Sequence, residues 1–170
     1  KLQWMKIYDR NPDYVMLVDK LRVKEYIQNK IGAEYGIPTL GVWKSADEID
    51  FDSLPNKFVL KCNHDSRSVV VCKDKSKLDI NKAKEHLNRC LRKNLYWWGR
   101  EWPYKDVEPK VFAEQLLEER GEHDLKDYKL MCFGGEVKCS FVCSERFEAG
   151  GLKVTFFDRD WKKMPFIRHY

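Results

Sequence analysis

The sequence predicts a mixed α+β chain of antiparallel hairpins and packed helices. Three stretches carry that expectation. Phe58-Val59-Leu60-Lys61-Cys62-Asn63 and Val69-Val70-Val71 are apolar runs joined by a short polar turn, which is a hairpin pattern. Residues 128–133 and 137–142 flank Gly134-Gly135, a second hairpin signal. Between the two, Ile80, Ala83, Leu87, Cys90, Leu91 and Leu95 recur at helical spacing behind a capping Asp79.

Bulk properties bound the rest. A chain of 170 residues suits one ordinary domain or two small lobes. Hydrophobic residues make up 43% and aromatics 14%, enough for a core and against disorder. The net charge of +5 comes from 32 basic and 27 acidic residues with both signs interspersed. That permits an anionic ligand without pointing to nucleic acid. No run approaches the ~18 apolar residues of a membrane helix. Cys62, Cys72, Cys90, Cys132, Cys139 and Cys143 lie mostly in apolar runs, form no CxxC pair and lack zinc-ligand spacing. A reducing, cytoplasmic setting is expected. The start at Lys1 has no signal pattern. Both ends are abrupt, as expected of part of a longer chain.

In order, Asn11-Pro12-Asp13 is a helix start with proline near the first turn. Asp19 can cap a helix over 20–31, with Leu21, Tyr26, Ile27 and Ile31 towards the core and Gly32 as its stop. Ile37 to Trp43 reads as a short strand. Ser45 to Pro55 reads as a short helix and connector. Tyr96-Trp97-Trp98-Gly99-Arg100-Glu101-Trp102-Pro103-Tyr104 packs five aromatics into nine residues. Such a cluster either stacks bases or sugars or packs on its own rings. It belongs to no nucleic-acid-binding pattern that can be placed. Residues 111–117 form a buried strand. Val154 to Asp158 is a further strand, followed by a turn.

Four charged residues stand out. Strand geometry puts Val59, Lys61 and Asn63 on one face and Phe58, Leu60 and Cys62 on the other. A lysine in an apolar strand is solvated at an edge, paired, or offered to an anion. Lys20 falls in the first turn of its helix, where the dipole disfavours a cation unless something negative is near. Glu114 is an acid inside an apolar run and needs a partner. Lys129 is a third conspicuous basic residue, and like Lys61 it lies inside a strand.

Several pieces form one constellation. They are Tyr8-Asp9-Arg10-Asn11-Pro12, Val18-Asp19-Lys20, Ile37-Pro38-Thr39-Leu40-Gly41-Val42 and Phe58-Val59-Leu60-Lys61-Cys62-Asn63-His64. Trp98-Gly99-Arg100-Glu101-Trp102, Ala113-Glu114, Leu125-Lys126-Asp127-Tyr128-Lys129 and Phe157-Asp158-Arg159-Asp160-Trp161 continue it. Together they resemble the ATP-grasp-like proteins of the teichuronopeptide-biosynthesis type, over nearly the whole chain. The resemblance implies an α+β, ATP-grasp-like fold of mainly antiparallel sheet lobes with packed helices, incomplete at the C-terminus. Residues 1–56 would be an N-terminal helical segment and first strand, 57–112 a small nucleotide-closing lobe, and 113–170 the start of a larger lobe.

The resemblance implies ATP between the lobes. Lys20 and Lys61 would hold phosphates, and the turn His64-Asp65-Ser66-Arg67-Ser68 would close over them, with His64, Ser66, Arg67 and Ser68 as contacts. Glu114 would meet the adenine amino group, and the backbone of Gln115 to Leu117 the adenine edge. Glu122 or Asp127 would receive the ribose hydroxyls, and Lys129 belongs to the same set. Mg2+ is expected, with its ligands outside this chain. Related sequences carry Gly-Ser-Gly where this chain has Asp65-Ser66-Arg67. That removes the freedom to adopt positive φ and to let backbone approach phosphate. The implied reaction is carboxylate–amine ligation through an acyl phosphate in cell-surface polysaccharide or teichuronopeptide biosynthesis. Its partners would be ATP and a sugar-acid or amino-acid component of a surface polymer, with no nucleic acid. The alternative is a non-catalytic nucleotide- or carbohydrate-binding module.

Overall fold

The computed structural model describes residues 1–118, 125–145 and 149–168. The chain forms two compact units, Lys1–Leu116 and Leu117–Tyr170. Each contains one four-stranded antiparallel sheet, so the α+β class is established.

The first unit begins with α1 (Leu2–Tyr8), α2 (Asp13–Val18) and α3 (Arg22–Ile31). Pro12 directly precedes α2, where its missing N–H costs nothing. The helix expected over 20–31 starts two residues late, at Arg22. The cause is Asp19, whose carboxylate accepts the N–H of Leu21 at 2.9 Å and so holds the entry as a turn. Gly32, at φ +115°, ends α3. Tyr26, Ile27 and Ile31 were expected in the core but remain exposed, because α3 has no buried residue. The helix α1 was not foreseen. Its apolar residues do not follow one stripe, and Leu2, Trp4 and Ile7 are all exposed.

Strands β1 (Thr39–Trp43), β2 (Phe58–Cys62), β3 (Val70–Cys72) and β4 (Val111–Gln115) make the first sheet in the order β1-β4-β2-β3. The predicted hairpin is β2–β3, with Phe58 opposite Cys72 and Leu60 opposite Val70. Helix α4 (Ile80–Leu91) is capped by Asp79, which accepts the Lys82 N–H at 3.0 Å. Its buried Leu87 and Cys90 share the core with Phe58, Leu60, Cys62, Val111 and Ala113. Full burial of such an apolar side chain is worth roughly 1.5–3 kcal/mol. Alternation along β2 therefore sends Phe58, Leu60 and Cys62 under α4 and leaves Lys61 on the other face. A short helix, α5 (Tyr96–Gly99), follows.

The second unit is a meander of β5 (Asp127–Phe133), β6 (Glu136–Ser144), β7 (Lys153–Phe157) and β8 (Lys163–Ile167), in chain order. Gly134 at φ +59° and Gly135 at φ +82° make the expected tight turn. Strand β8 was missed in the sequence, because Pro165 interrupts a run that carries two lysines at its start. No helix among the described residues is long and apolar enough to cross a membrane.

Candidate functional site

Asn63 organises the end of β2. Its Nδ2 donates to the Asp19 carboxylate at 3.1 Å and to the Glu108 carbonyl at 3.0 Å. Its Oδ1 accepts the Lys110 N–H at 2.8 Å. The entry to α3, the end of β2 and the approach to β4 are thereby tied to one amide. Lys20 is bound into the same knot, its N–H donating to the Asn63 carbonyl at 3.1 Å. Its ammonium donates to the carbonyls of Cys62 at 3.2 Å, Asn63 at 3.4 Å and Asp65. Burial lowers the Lys20 pKa, the Asp65 charge opposes that, and the Lys61 charge lowers it further. The two lysines therefore feel each other's charge at one end of β2.

The turn after β2 is held by its own side chains. The Cys62 N–H donates to Ser68 Oγ at 2.8 Å, and that hydroxyl donates to the Asp65 carboxylate. Both Asp65 and Ser68 are buried. His64 is 1% exposed, and its Nε2 meets the Lys93 carbonyl at 2.9 Å. A carbonyl only accepts, so Nε2 carries the proton. Nδ1 is buried without a hydrogen-bond partner among the described residues. Arg67 adopts φ +92°, a conformation that favours glycine. Ser66 and Arg67 are the exposed members of the turn.

On the opposite face of β2 lies a charge cluster. Glu114 on β4 is 4% exposed. One of its oxygens accepts from Lys24 at 2.7 Å, and the other pairs with Lys61. Both ammonium groups stand over the Phe112 ring, at 5.3 and 5.4 Å. The acid that needed a partner has two, and Lys61 is paired rather than left to solvent. Two cations around one carboxylate leave a net positive charge. Such a group attracts a polyanion at little further desolvation cost.

Of the residues singled out in the sequence, Lys20, Lys61, His64, Ser66, Arg67, Ser68, Glu114 and Gln115 all lie in the first unit. Lys20, Lys61 and Glu114 gather around β2 and β4. Ser68 and His64 point inward, with the hydroxyl of Ser68 and Nε2 of His64 already engaged. Ser66 and Arg67 line a cavity beside α4. The Gln115 N–H donates to the Pro38 carbonyl at 3.1 Å and is engaged within the sheet. Leu117, Asp127 and Lys129 belong to the second unit. Glu122 lies outside the described residues. Lys24 was missed. As a charged residue on an exposed-looking helix it gave no sign in the sequence of facing β4.

No group of three or more His, Cys, Asp or Glu side chains among the described residues could hold a metal ion. A family model described as TupA-like ATPgrasp matches residues 1–170. No curated protein and no solved structure matches the chain.

Proposed function

The chain belongs to the TupA-like ATP-grasp family, and from that membership we propose an ATP-dependent ligase-type protein that joins a carboxylate to an amine. ATP-grasp identity carries nucleotide binding with it. In this proposal Lys20, Lys61 and Glu114 hold ATP, in cytoplasmic biosynthesis of a cell-surface polysaccharide or teichuronopeptide. The observation that carries it is the cluster of Lys24, Lys61 and Glu114 with Lys20 beside it. This donor set suits a polyphosphate, which needs several cations at close quarters.

The residues divide the work by chemistry. Lys61 exchanges the Glu114 carboxylate for phosphate oxygens. Lys24 stays on one oxygen of Glu114 and leaves the other to accept a hydrogen bond from the adenine amino group. Lys20 screens phosphate charge from the turn side. Bound ATP supplies the phosphoryl group that activates the carboxylate substrate, which is a sugar acid or an amino acid of a surface polymer. Mg2+, when bound, would neutralise phosphate charge, with its ligands outside this chain. The chain supplies positioning and electrostatics.

The test is ADP release from ATP in the presence of candidate sugar acids and amino acids. Substrate-dependent release supports the ligase reading. Nucleotide binding without release supports a non-catalytic binding module instead. That second reading draws on Lys20, whose ammonium already has three carbonyl acceptors.

A further inference from the structure

The aromatic run has no part in the nucleotide reading, yet its member Trp98 lines a cavity of about 660 Å³. That volume lies within the ~300–1,000 Å³ typical of small-molecule sites. One wall is the turn Asp65-Ser66-Arg67, and the other is the C-terminal half of α4 with the residues after it. His86 and Arg89, three residues apart on α4, lie along one side, and Lys93 follows just past the helix end. Arg67 joins them from the turn.

None of Arg67, Arg89 and Lys93 is in a salt bridge among the described residues. Asp65 is the acid in the lining, and its carboxylate already accepts the Ser68 hydroxyl. Unpaired cations around a concave site hold their charge open to an anion. Cys90 also lines the cavity, with Sγ 3.9 Å from His86 Nε2. Burial pushes its thiol up, which disfavours the nucleophilic thiolate.

Trp98 decides what kind of anion. It is 85% exposed and has no ring or cation contact among the described residues. Its neighbours are occupied: Trp97 packs edge-on against Tyr96 at 5.0 Å, and Trp102 carries Arg10 at 5.2 Å. A free indole face is a flat apolar plate. The C–H face of a pyranose stacks on such a plate while its charged substituent turns to a guanidinium. A single-stranded nucleic acid would need a track of several free rings, and here one is free.

We infer that this cavity binds an anionic sugar, with the ring on Trp98 and the carboxylate or phosphate group between Arg67, Arg89 and Lys93. Helix α4 covers the face of β2 opposite Lys61, so the site is separate from the lysine–glutamate cluster. It fills without ATP.

The test is calorimetric titration of the 170-residue chain without nucleotide, using glucuronate and glucose 6-phosphate. Glucose, inorganic phosphate and a short oligothymidylate are the comparisons. Binding of either anionic sugar at least tenfold tighter than glucose and inorganic phosphate supports the site, and the preferred arm identifies the charged group. Arg89→Ala and Trp98→Ala should each weaken that binding at least tenfold with the melting temperature unchanged, and Trp98→Phe should recover most of it. Equal binding of glucose or inorganic phosphate overturns the inference. So does tighter binding of the oligothymidylate, or an Arg89→Ala variant that binds as well as the parent. Each of these failures leaves ATP binding at Lys61 untouched.

Discussion

Lys61 on β2 and Glu114 on β4 form an ion pair between adjacent strands of the first sheet, and Lys24 closes on the remaining oxygen of the same carboxylate at 2.7 Å. The side chain of Glu114 is 5% exposed, against 17% and 22% for Lys24 and Lys61. The carboxylate is thus the buried centre of the cluster, and the ammonium groups reach solvent.

Removing that centre should be costly. Glu114→Ala leaves two partly desolvated cations facing each other. We expect a loss of about 3 kcal/mol, the lower end for breaking a buried pair, since both lysines keep some water. Urea denaturation should show a lower midpoint with the slope unchanged. A second change, Lys61→Met in the Glu114→Ala background, should recover part of the loss. A Glu114→Ala variant as stable as the parent would show that the cluster contributes nothing.

The turn makes a second prediction. Ser68 accepts from the Cys62 N–H and donates to Asp65 in a buried setting. Ser68→Ala strands both partners and should cost about 1–3 kcal/mol. Hydrogen exchange at the Cys62 amide should accelerate in the same variant. Unchanged protection there would mean the bond is not holding the turn.

Arg67 points the other way. Its φ of +92° strains a side-chain-bearing residue, and its side chain is exposed. Arg67→Gly should therefore raise stability by about 1 kcal/mol, since left-handed backbone costs an L-residue roughly 1–2 kcal/mol. The same variant should bind anionic sugar less tightly. A fall in melting temperature would contradict the strain.

Cys62 and Lys20 predict an alkaline pH dependence of opposite sign. Burial pushes the Cys62 thiol up from 9.0 to about 12, with the Ser68 hydrogen bond opposing. Between those values the native state holds a proton that the unfolded state has lost, so stability falls as pH rises. Burial lowers the Lys20 pKa below 10.5, so near that pH the unfolded state holds the extra proton and stability rises. Relative to the parent, Cys62→Ala should lose stability less steeply above pH 9, and Lys20→Met more steeply. Parallel curves for parent and variants would remove both effects.

Elements with a strong local signal were legible in the sequence. The alternation Phe58, Leu60, Cys62 against Val59, Lys61 located the β2–β3 hairpin and its buried face. Asp79 and the apolar stripe behind it located α4. The demand of Glu114 for a partner was also readable, because an acid in an apolar strand must be neutralised. Its partners were not: Lys24 lies 90 residues away, and only the β1-β4-β2 pairing brings α3 above β4. The inward roles of Asp65 and Ser68 were hidden for a similar reason. A polar turn reads the same whether its side chains face solvent or fold back on its own backbone. The cavity beside α4 combines residues from the turn, the helix and the aromatic run, none of which signals the others.

The central claim is that Lys61 leaves Glu114 for a polyphosphate. Its most direct test is the melting temperature of the chain with and without ATP, in the parent and in Lys61→Met. Ligand binding raises apparent stability by mass action, about 2.7 kcal/mol at a hundredfold excess over Kd. The account predicts a clear ATP-dependent rise in the parent and its loss in Lys61→Met. The same rise in both proteins would contradict it.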